Sequence, residues 1–318
     1  MTHVTPVLTT HGLSVGYGAG PTARTVLADL NIELHAGKLV CFMGPNGIGK
    51  STLLRTLAGL QKPLAGKVLH ATSATQHGQH VAVVLTDRVQ ATHMTARELV
   101  AFGRYPYLPW HLSPTREDKN KVEEAIDRVH IRALADQPVA SLSDGQLQMT
   151  MIARAIAQDT PVLLLDEPTA HLDLNNRVET MTLLRALAHE TGKAVLLATH
   201  ELDLALQMAD EVWLITQQRT LKRGLPEDLV LDGSFDEVFE LKGFDLRTGR
   251  ITHVIHRLKK IHLQGEGPVF LWTKNALERE GYEVTASEGS QVRVGPHEWY
   301  VAGHVFHNLR SLLQYLHG

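Results

Sequence analysis

Two kinds of apolar spacing alternate along the chain. Residues 8–35 hold alternating or short apolar runs broken by GYGAGP, which predicts two or three strands and turns forming a small antiparallel sheet. From residue 38 the pattern becomes short continuous apolar runs separated by stretches of helical period: LVCFM, KSTLLRTLAGL, VLLLD, a helix around 175–191, AVLLAT, a helix around 201–208, and EVWLIT. Strands alternating with crossover helices predict a parallel α/β sheet. Residues 88–160 interrupt the alternation: TARELVAFGR, TREDKNKVEEAIDRVHI and GQLQMTMIARAIAQD all carry helical spacing, with proline-rich RYPYLPWHLSP between the first two. They read as an inserted helical subdomain. After about residue 228 a further pattern begins, strand, helix, strands, helix, with TKNALEREGY and HNLRSLLQYL as the helices. Leu309, Leu312, Leu313 and Leu316 fall at i, i+3, i+4 and i+7, one apolar helix face suited to packing. The expected domains are residues 1–228, with the helical insertion at about 88–160, and residues 229–318, a small α+β domain.

Composition narrows the class further. A chain of 318 residues exceeds a typical domain, and at roughly 150 residues per domain it holds about two. With 43% hydrophobic and 20% charged residues it is an ordinary globular sequence, neither fibrous nor disordered. A net charge of -3 supplies no basic field for a polyanion, so nucleic acid is not an expected partner. The single cysteine, Cys41, rules out an internal disulfide and sits inside LVCFM, where it reads as a small buried hydrophobe in a reducing compartment. No window approaches the roughly 18 to 20 apolar residues of a membrane span, and MTHVTPVLTT lacks a basic stretch followed by an apolar one. The chain is expected in the cytoplasm.

The chemistry starts at GPNGIGKST, residues 44–52, which follows the strand LVCFM and opens a helix. Gly44, Gly47 and Gly49 let the backbone bend so that successive N–H groups converge on phosphate oxygens at a positive helix end. Pro45, Asn46 and Thr52 complete the loop; Lys50 would reach the β- and γ-phosphates of ATP, and Ser51 would ligate Mg2+. An ordinary glycine-rich turn does not ask for Lys-Ser at that point. VLLLDEPTAHLD, residues 162–173, then delivers two adjacent acids at the end of an apolar strand. Beside a phosphate loop, Asp166 should orient the hydrated metal and Glu167 the attacking water.

SLSDGQLQM, residues 141–149, resembles the LSGGQ signature of ATP-binding-cassette (ABC) ATPases. Ser143, Gly145 and Gln146 would form a second anion site at a helix N-terminus. The resemblance implies a phosphate-loop ATPase fold with a mixed, largely parallel sheet core and a small antiparallel β subdomain. It also implies that this second site closes on the γ-phosphate bound by the other subunit of a head-to-tail homodimer. Asp144 departs from the usual glycine. Tyr17 in LSVGYG looks like the aromatic that stacks on adenine, AHLDL with Asp173 and Leu174 like the loop communicating between sites, and His200 like the switch histidine that holds Glu167 and water. With these, Glu167, His200 and Lys50 become the expected catalytic set. The family's usual glutamine after the strand VAVVL is missing: the register puts Thr86 there, followed by Asp87, while Gln90 lies four residues late. Thr86 or Asp87 is expected to substitute at the metal.

ELVAFGRYPY, SLSDGQLQMTMIARAIAQ and THELDLAL are most similar to the ATPases of importers for ferric siderophores, haem or cobalamin. That resemblance spans residues 8 to about 228. It implies attachment to a dimeric membrane permease at the inner face of the membrane, supplied by an extracytoplasmic substrate-binding protein. The alternative is a soluble ABC ATPase, of which the single-cassette type serving iron–sulfur cluster assembly agrees with the chain's organisation. The tail carries no motif of assignable chemistry. It reads either as a regulatory domain for a ligand or partner, or as a packing module that enlarges the dimer. His253 with His256 and His304 with His307 form two H-x-x-H pairs; with 19 histidines such spacing is expected by chance, and a closed metal site needs about four ligands.

Overall fold

A computed structural model describes residues 5–71, 77–86, 93–108, 113–170, 172–239, 244–246, 250–251 and 259–317. The strands β1 (Pro6–Tyr17), β2 (Arg24–Leu30) and β3 (Glu33–His35) precede β4 (Leu39–Met43) and helix α1 (Lys50–Leu57). Next come β5 (Ala65–His70), β6 (Val81–Val84) and three helices, α2 (Ala96–Ala101), α3 (Arg116–Arg128) and α4 (Asp144–Ala157). The alternation resumes with β7 (Val162–Asp166), α5 (Leu174–Thr191), β8 (Ala194–Ala198), α6 (Leu202–Met208), β9 (Glu211–Ile215) and β10 (Leu221–Gly224), followed by α7 (Pro226–Leu231) and α8 (Ser234–Val238).

The apolar runs of the sequence become the buried strands of a six-stranded sheet, ordered β10-β9-β4-β8-β7-β6. Five strands are parallel, and β10 runs antiparallel along β9. β4, β7 and β8 are buried along their whole length, as parallel strands covered on both faces must be. Cys41 lies inside β4, and burial, with the Asp210 charge as a lesser cause, pushes its thiol up to about 12. The thiol is an inert hydrophobe there. The antiparallel sheet holds the expected β1, β2 and β3, and also β5, which pairs along β1. AGKVLH has no apolar alternation, since most of β5 faces water, so this strand leaves little mark on the sequence. Leu13, Leu27 and Leu34 of this sheet share one core with Phe42, Leu53, Leu54 and Trp213.

Each helix of the insertion opens on a capping box: Thr95 with Glu98, Thr115 with Asp118, Ser143 with Gln146. TARELVAFGR is not one continuous α-helix. The α-helix ends at Ala101 and tightens into a 3-10 segment over Phe102–Tyr107, because Gly103 backs onto α4, where a Cβ would fall 2.2 Å from the Arg154 carbonyl. Arg104 is buried there. It donates to Asp118 at 2.9 Å and to the Ala157 carbonyl at 3.0 Å, joining the three helices. Arg154 of α4 and Gln158, which caps its C-terminus, then reach the carbonyls of Val83 and Val81 at 2.7 and 3.0 Å, tying that helix to β6.

The first compact unit runs to Glu240 and the second begins at Leu241. The first therefore extends past residue 228, because Phe235 and Val238 of α8 are buried within it. The second unit holds a two-residue ladder, β11 (Phe244–Asp245) with β12 (Arg250–Ile251). Its main sheet is built from β13 (Lys259–Gln264), β14 (Tyr282–Thr285), β15 (Ser290–Val294), β16 (Trp299–Val301) and β17 (His304–Phe306), with helices α9 (Gly267–Arg279) and α10 (Leu309–His317). The order is β14-β13-β15-β16-β17, with β13 parallel to both of its neighbours. Ile261, Leu277, Val292, Trp299 and Leu312 form its own core, and Leu309, Leu313 and Leu316 pack against it as the stripe predicts. α9 starts six residues before TKNALEREGY and stops at Arg279, since Gly281 turns at φ 87° and Tyr282 enters β14.

Candidate functional site

The loop 44–49 leaves the end of β4 and enters α1 at Lys50. At Gly49 the backbone has φ 115° and a Cβ would lie 2.3 Å from Val26, so no other residue fits. The buried Lys50 ammonium donates to the Gly44 carbonyl at 2.8 Å and to Pro45 at 3.3 Å, which holds it over the loop. Burial lowers its pKa, while the charges of Glu167 and Asp166 act in the opposite sense. Lys50 thus stands in the field of both acids. Two residues on, Thr52 shares a 2.7 Å hydrogen bond with the Tyr17 hydroxyl, so the end of β1 reaches the start of α1, with Tyr17 half exposed.

Asp166 closes β7 and is buried, paired in register with Ala198 of β8. Glu167 follows at φ 51°, a left-handed conformation costly for a residue with a side chain. Its N–H donates to the Ala198 carbonyl at 2.9 Å, and its Oε2 lies 2.5 Å from Nδ1 of His200. The strained turn swings the second carboxylate off the strand line and onto the residue leaving β8. Ser51 and Asp166 offer a hydroxyl and a carboxylate, oxygen donors of the kind magnesium takes when substrate phosphates and water supply the rest. The residues therefore suit that ion.

Ser143 and Gln146 cap α4 reciprocally: Gln146 N–H donates to Ser143 Oγ at 3.3 Å and Ser143 N–H to Gln146 Oε1 at 3.0 Å. Among the described residues their side chains bond to no group of the loop 44–52. Asp144 is exposed in the first turn. Gly145 lies against Leu172, where a Cβ would meet the leucine side chain at 3.0 Å. Asp173 caps α5, accepting from the Asn176 N–H at 2.9 Å. Thr86 is exposed in the bend after β6. Asp87 and Gln90 lie outside the described residues, as do His253 and His256. His304 packs on Tyr315 with ring centroids 5.1 Å apart, whereas His307 Nδ1 stands 3.3 Å from Glu298, so the second histidine pair divides between different neighbours.

Two charged residues escaped the sequence reading. Arg177, in α5, pairs with Glu201 at 2.9 Å, and its Nε donates to the Leu172 carbonyl at 2.7 Å. The only sequence signal is the placement of Glu201 directly after His200 and of Arg177 just past Asp173.

Comparison with known proteins finds two family models on the chain. One, described as ABC transporter, matches residues 27–170; the other, described as iron ABC transporter C-terminal domain, matches residues 258–317. An uncharacterized ABC transporter ATP-binding protein of Methanocaldococcus jannaschii is 39% identical over 74% of this chain and 82% of its own length. The achromobactin transport ATP-binding protein of Dickeya dadantii is 35% identical over 74% of this chain and 88% of its own. Among solved structures, an inward-facing conformation of a metal-chelate type ABC transporter superposes with a TM-score of 0.65 at 28% identity, covering 74% of this chain and 90% of that one. The tail match answers to no motif that a reading of residues 229–318 supplied.

Proposed function

The chain belongs to the family of ABC transporter ATP-binding proteins, which are ATPases, and from that premise we propose that it is the motor subunit of an importer for an iron siderophore or a related metal chelate. The observation that carries the catalytic part is the 2.5 Å contact of Glu167 Oε2 with His200 Nδ1, beside a lysine held in the field of two carboxylates. The substrate class is supported by the names of the relatives and by the iron-transporter model over residues 258–317.

The roles follow from the chemistry of each group. Lys50 and the backbone N–H groups of residues 44–52 other than Pro45, that of Asn46 among them, bind the β- and γ-phosphates, Pro45 lines the loop without donating, and Tyr17 stacks on the adenine. Ser51 and Asp166 hold magnesium, with Thr86 or Asp87 completing its surroundings. When bound, that ion neutralises charge on the phosphate oxygens. His200 engages Oε2 of Glu167, which leaves Oε1 to accept the proton of the attacking water. Ser143, Gly145 and Gln146 meet the γ-phosphate held by a second copy, and Asp173 relays between the two sites. The first unit is the motor and the second an accessory domain. A permease and an extracytoplasmic binding protein complete the importer.

Light scattering of Glu167→Gln with and without Mg-ATP tests the motor: an ATP-dependent dimer is expected, and a persistent monomer that still binds ATP contradicts the sandwich. Co-purification of a membrane permease with the full chain tests the importer. Its failure, with only soluble assembly proteins recovered, would favour the cluster-assembly type.

A further inference from the structure

Around Glu167 and His200 a closed circuit runs through hydrogen bonds and the chain itself. Ala170 N–H donates to the Glu167 carbonyl at 3.0 Å and Leu172 N–H to the Thr169 carbonyl at 3.2 Å, which folds the loop after β7 back on itself. The Leu172 carbonyl then accepts from Arg177 Nε at 2.7 Å, and the Arg177 guanidinium pairs with Glu201 at 2.9 and 3.2 Å. Glu201 follows His200, whose Nδ1 returns to Glu167 at 2.5 Å. Arg177 is thus a second joint, beside the Glu167–His200 contact, between the loop after β7 and the loop after β8.

Two features show why this joint matters. The His200 side chain is 59% exposed, so packing does not fix it, and its position depends on how the backbone of residues 199–201 is held. Glu201 occupies the N-cap position of α6, yet its carboxylate makes no cap bond to the helix and turns to Arg177 instead. At 15% exposure that carboxylate is little screened by solvent, which strengthens an ion pair with a planar, two-pronged guanidinium.

We propose that Arg177 is a positioning residue for hydrolysis: by clamping Glu201 and the Leu172 carbonyl together it fixes His200 against Glu167 and couples that contact to the Leu172–Asp173 loop. The inference rests on the roles given above to Glu167 and His200. A clamp of this kind acts on the geometry of the reacting groups and leaves nucleotide binding alone, because neither Arg177 nor Glu201 touches the loop 44–52.

The test is steady-state ATP hydrolysis by the full chain, with ATP affinity and Tm measured alongside. Arg177→Met and Glu201→Gln should each lower kcat by about tenfold while KM for ATP stays at its wild-type value and Tm falls by only a few degrees, by about the same amount in both. The double variant should be no slower than either single one, since both break the same link. Arg177→Lys should recover part of kcat, because an ammonium can meet Glu201 but cannot present a fork to both partners. Wild-type kcat in both single variants, multiplied losses in the double variant, or KM moving in step with kcat would each overturn the proposal. Should Arg177→Met fail to fold, Glu201→Gln decides alone. His200→Ala separates the two levels: retained hydrolysis there removes the underlying roles, whereas lost hydrolysis beside a fully active Arg177→Met removes only the clamp.

Discussion

The two units of this chain solve the same packing problem and end their strands differently. Each stacks helices on a sheet around a buried apolar core, and each has an inner strand with parallel neighbours, β4 in the first and β13 in the second. In the first unit the carboxyl ends of the parallel strands lead to Lys50, Asp166, Glu167 and His200, charged or titratable groups set against one another. In the second, β13 ends in Gln264, which accepts from Gln291 at 2.8 Å, a neutral pair. The carboxyl end of a parallel sheet is a place where a site can be built, not a site in itself. What makes the difference is a small number of residues whose charges the fold holds in opposition.

The largest expected effect breaks the first unit's chemistry while sparing its fold. Glu167→Gln should reduce ATP hydrolysis by about 10³-fold, with ATP binding retained in a nucleotide-binding assay; Lys50→Ala should instead weaken binding itself. Next comes the buried pair of the helical insertion. Asp118→Ala leaves the Arg104 guanidinium buried without its partner, and should cost about 3–5 kcal/mol in chemical denaturation of the first unit. In the second unit Leu312, fully buried, is the counterpart. Leu312→Ala should cost about 2–5 kcal/mol there and leave the ATPase rate of the folded protein unchanged, which an accessory role requires. The smallest effect is Trp299→Phe, which removes the 2.7 Å bond to Thr273 and should cost about 1 kcal/mol.

Acid gives a further handle on the helical insertion of the first unit. Burial raises the Asp118 carboxyl, but hydrogen bonds from Thr115 and Arg104 outweigh it and hold the pKa below 3.8. A depressed carboxylate contributes stability that is present above its unfolded value and is lost as pH falls through its folded one. Below about pH 4 the helical insertion should therefore weaken, and Asp118→Asn should flatten that part of the pH–stability curve while leaving the second unit's unchanged.

How much could be read in advance depended on how local each feature is. GPNGIGKST is a strand end, a bend and a helix start in nine consecutive positions, and Gly49 has a local reason to be glycine. The leucine stripe of α10 and the fully buried β4, β7 and β8 were equally plain, because one helix face or a whole strand faces apolar surroundings. β5 was hidden because most of its side chains face solvent. The start of α9 was hidden because Gly265, Gly267 and Pro268 stand at it, residues that interrupt a helical pattern. The 3-10 turn at Phe102–Tyr107 was invisible because its cause is the backbone of α4.

The sequence by itself determined the phosphate loop, the paired acids, the alternation of buried strands with helices around them, and the kind of protein these belong to, since each rests on neighbours along the chain. The meeting of Glu167 with His200, 33 residues away, was implied by the resemblance, but only the tertiary structure decided that Glu167 turns left-handed to make it and that Arg177 reaches Glu201, 24 residues away. Those pairings follow from β7 and β8 lying side by side, and strand adjacency is fixed by the packing of the whole sheet rather than by any local run of residues.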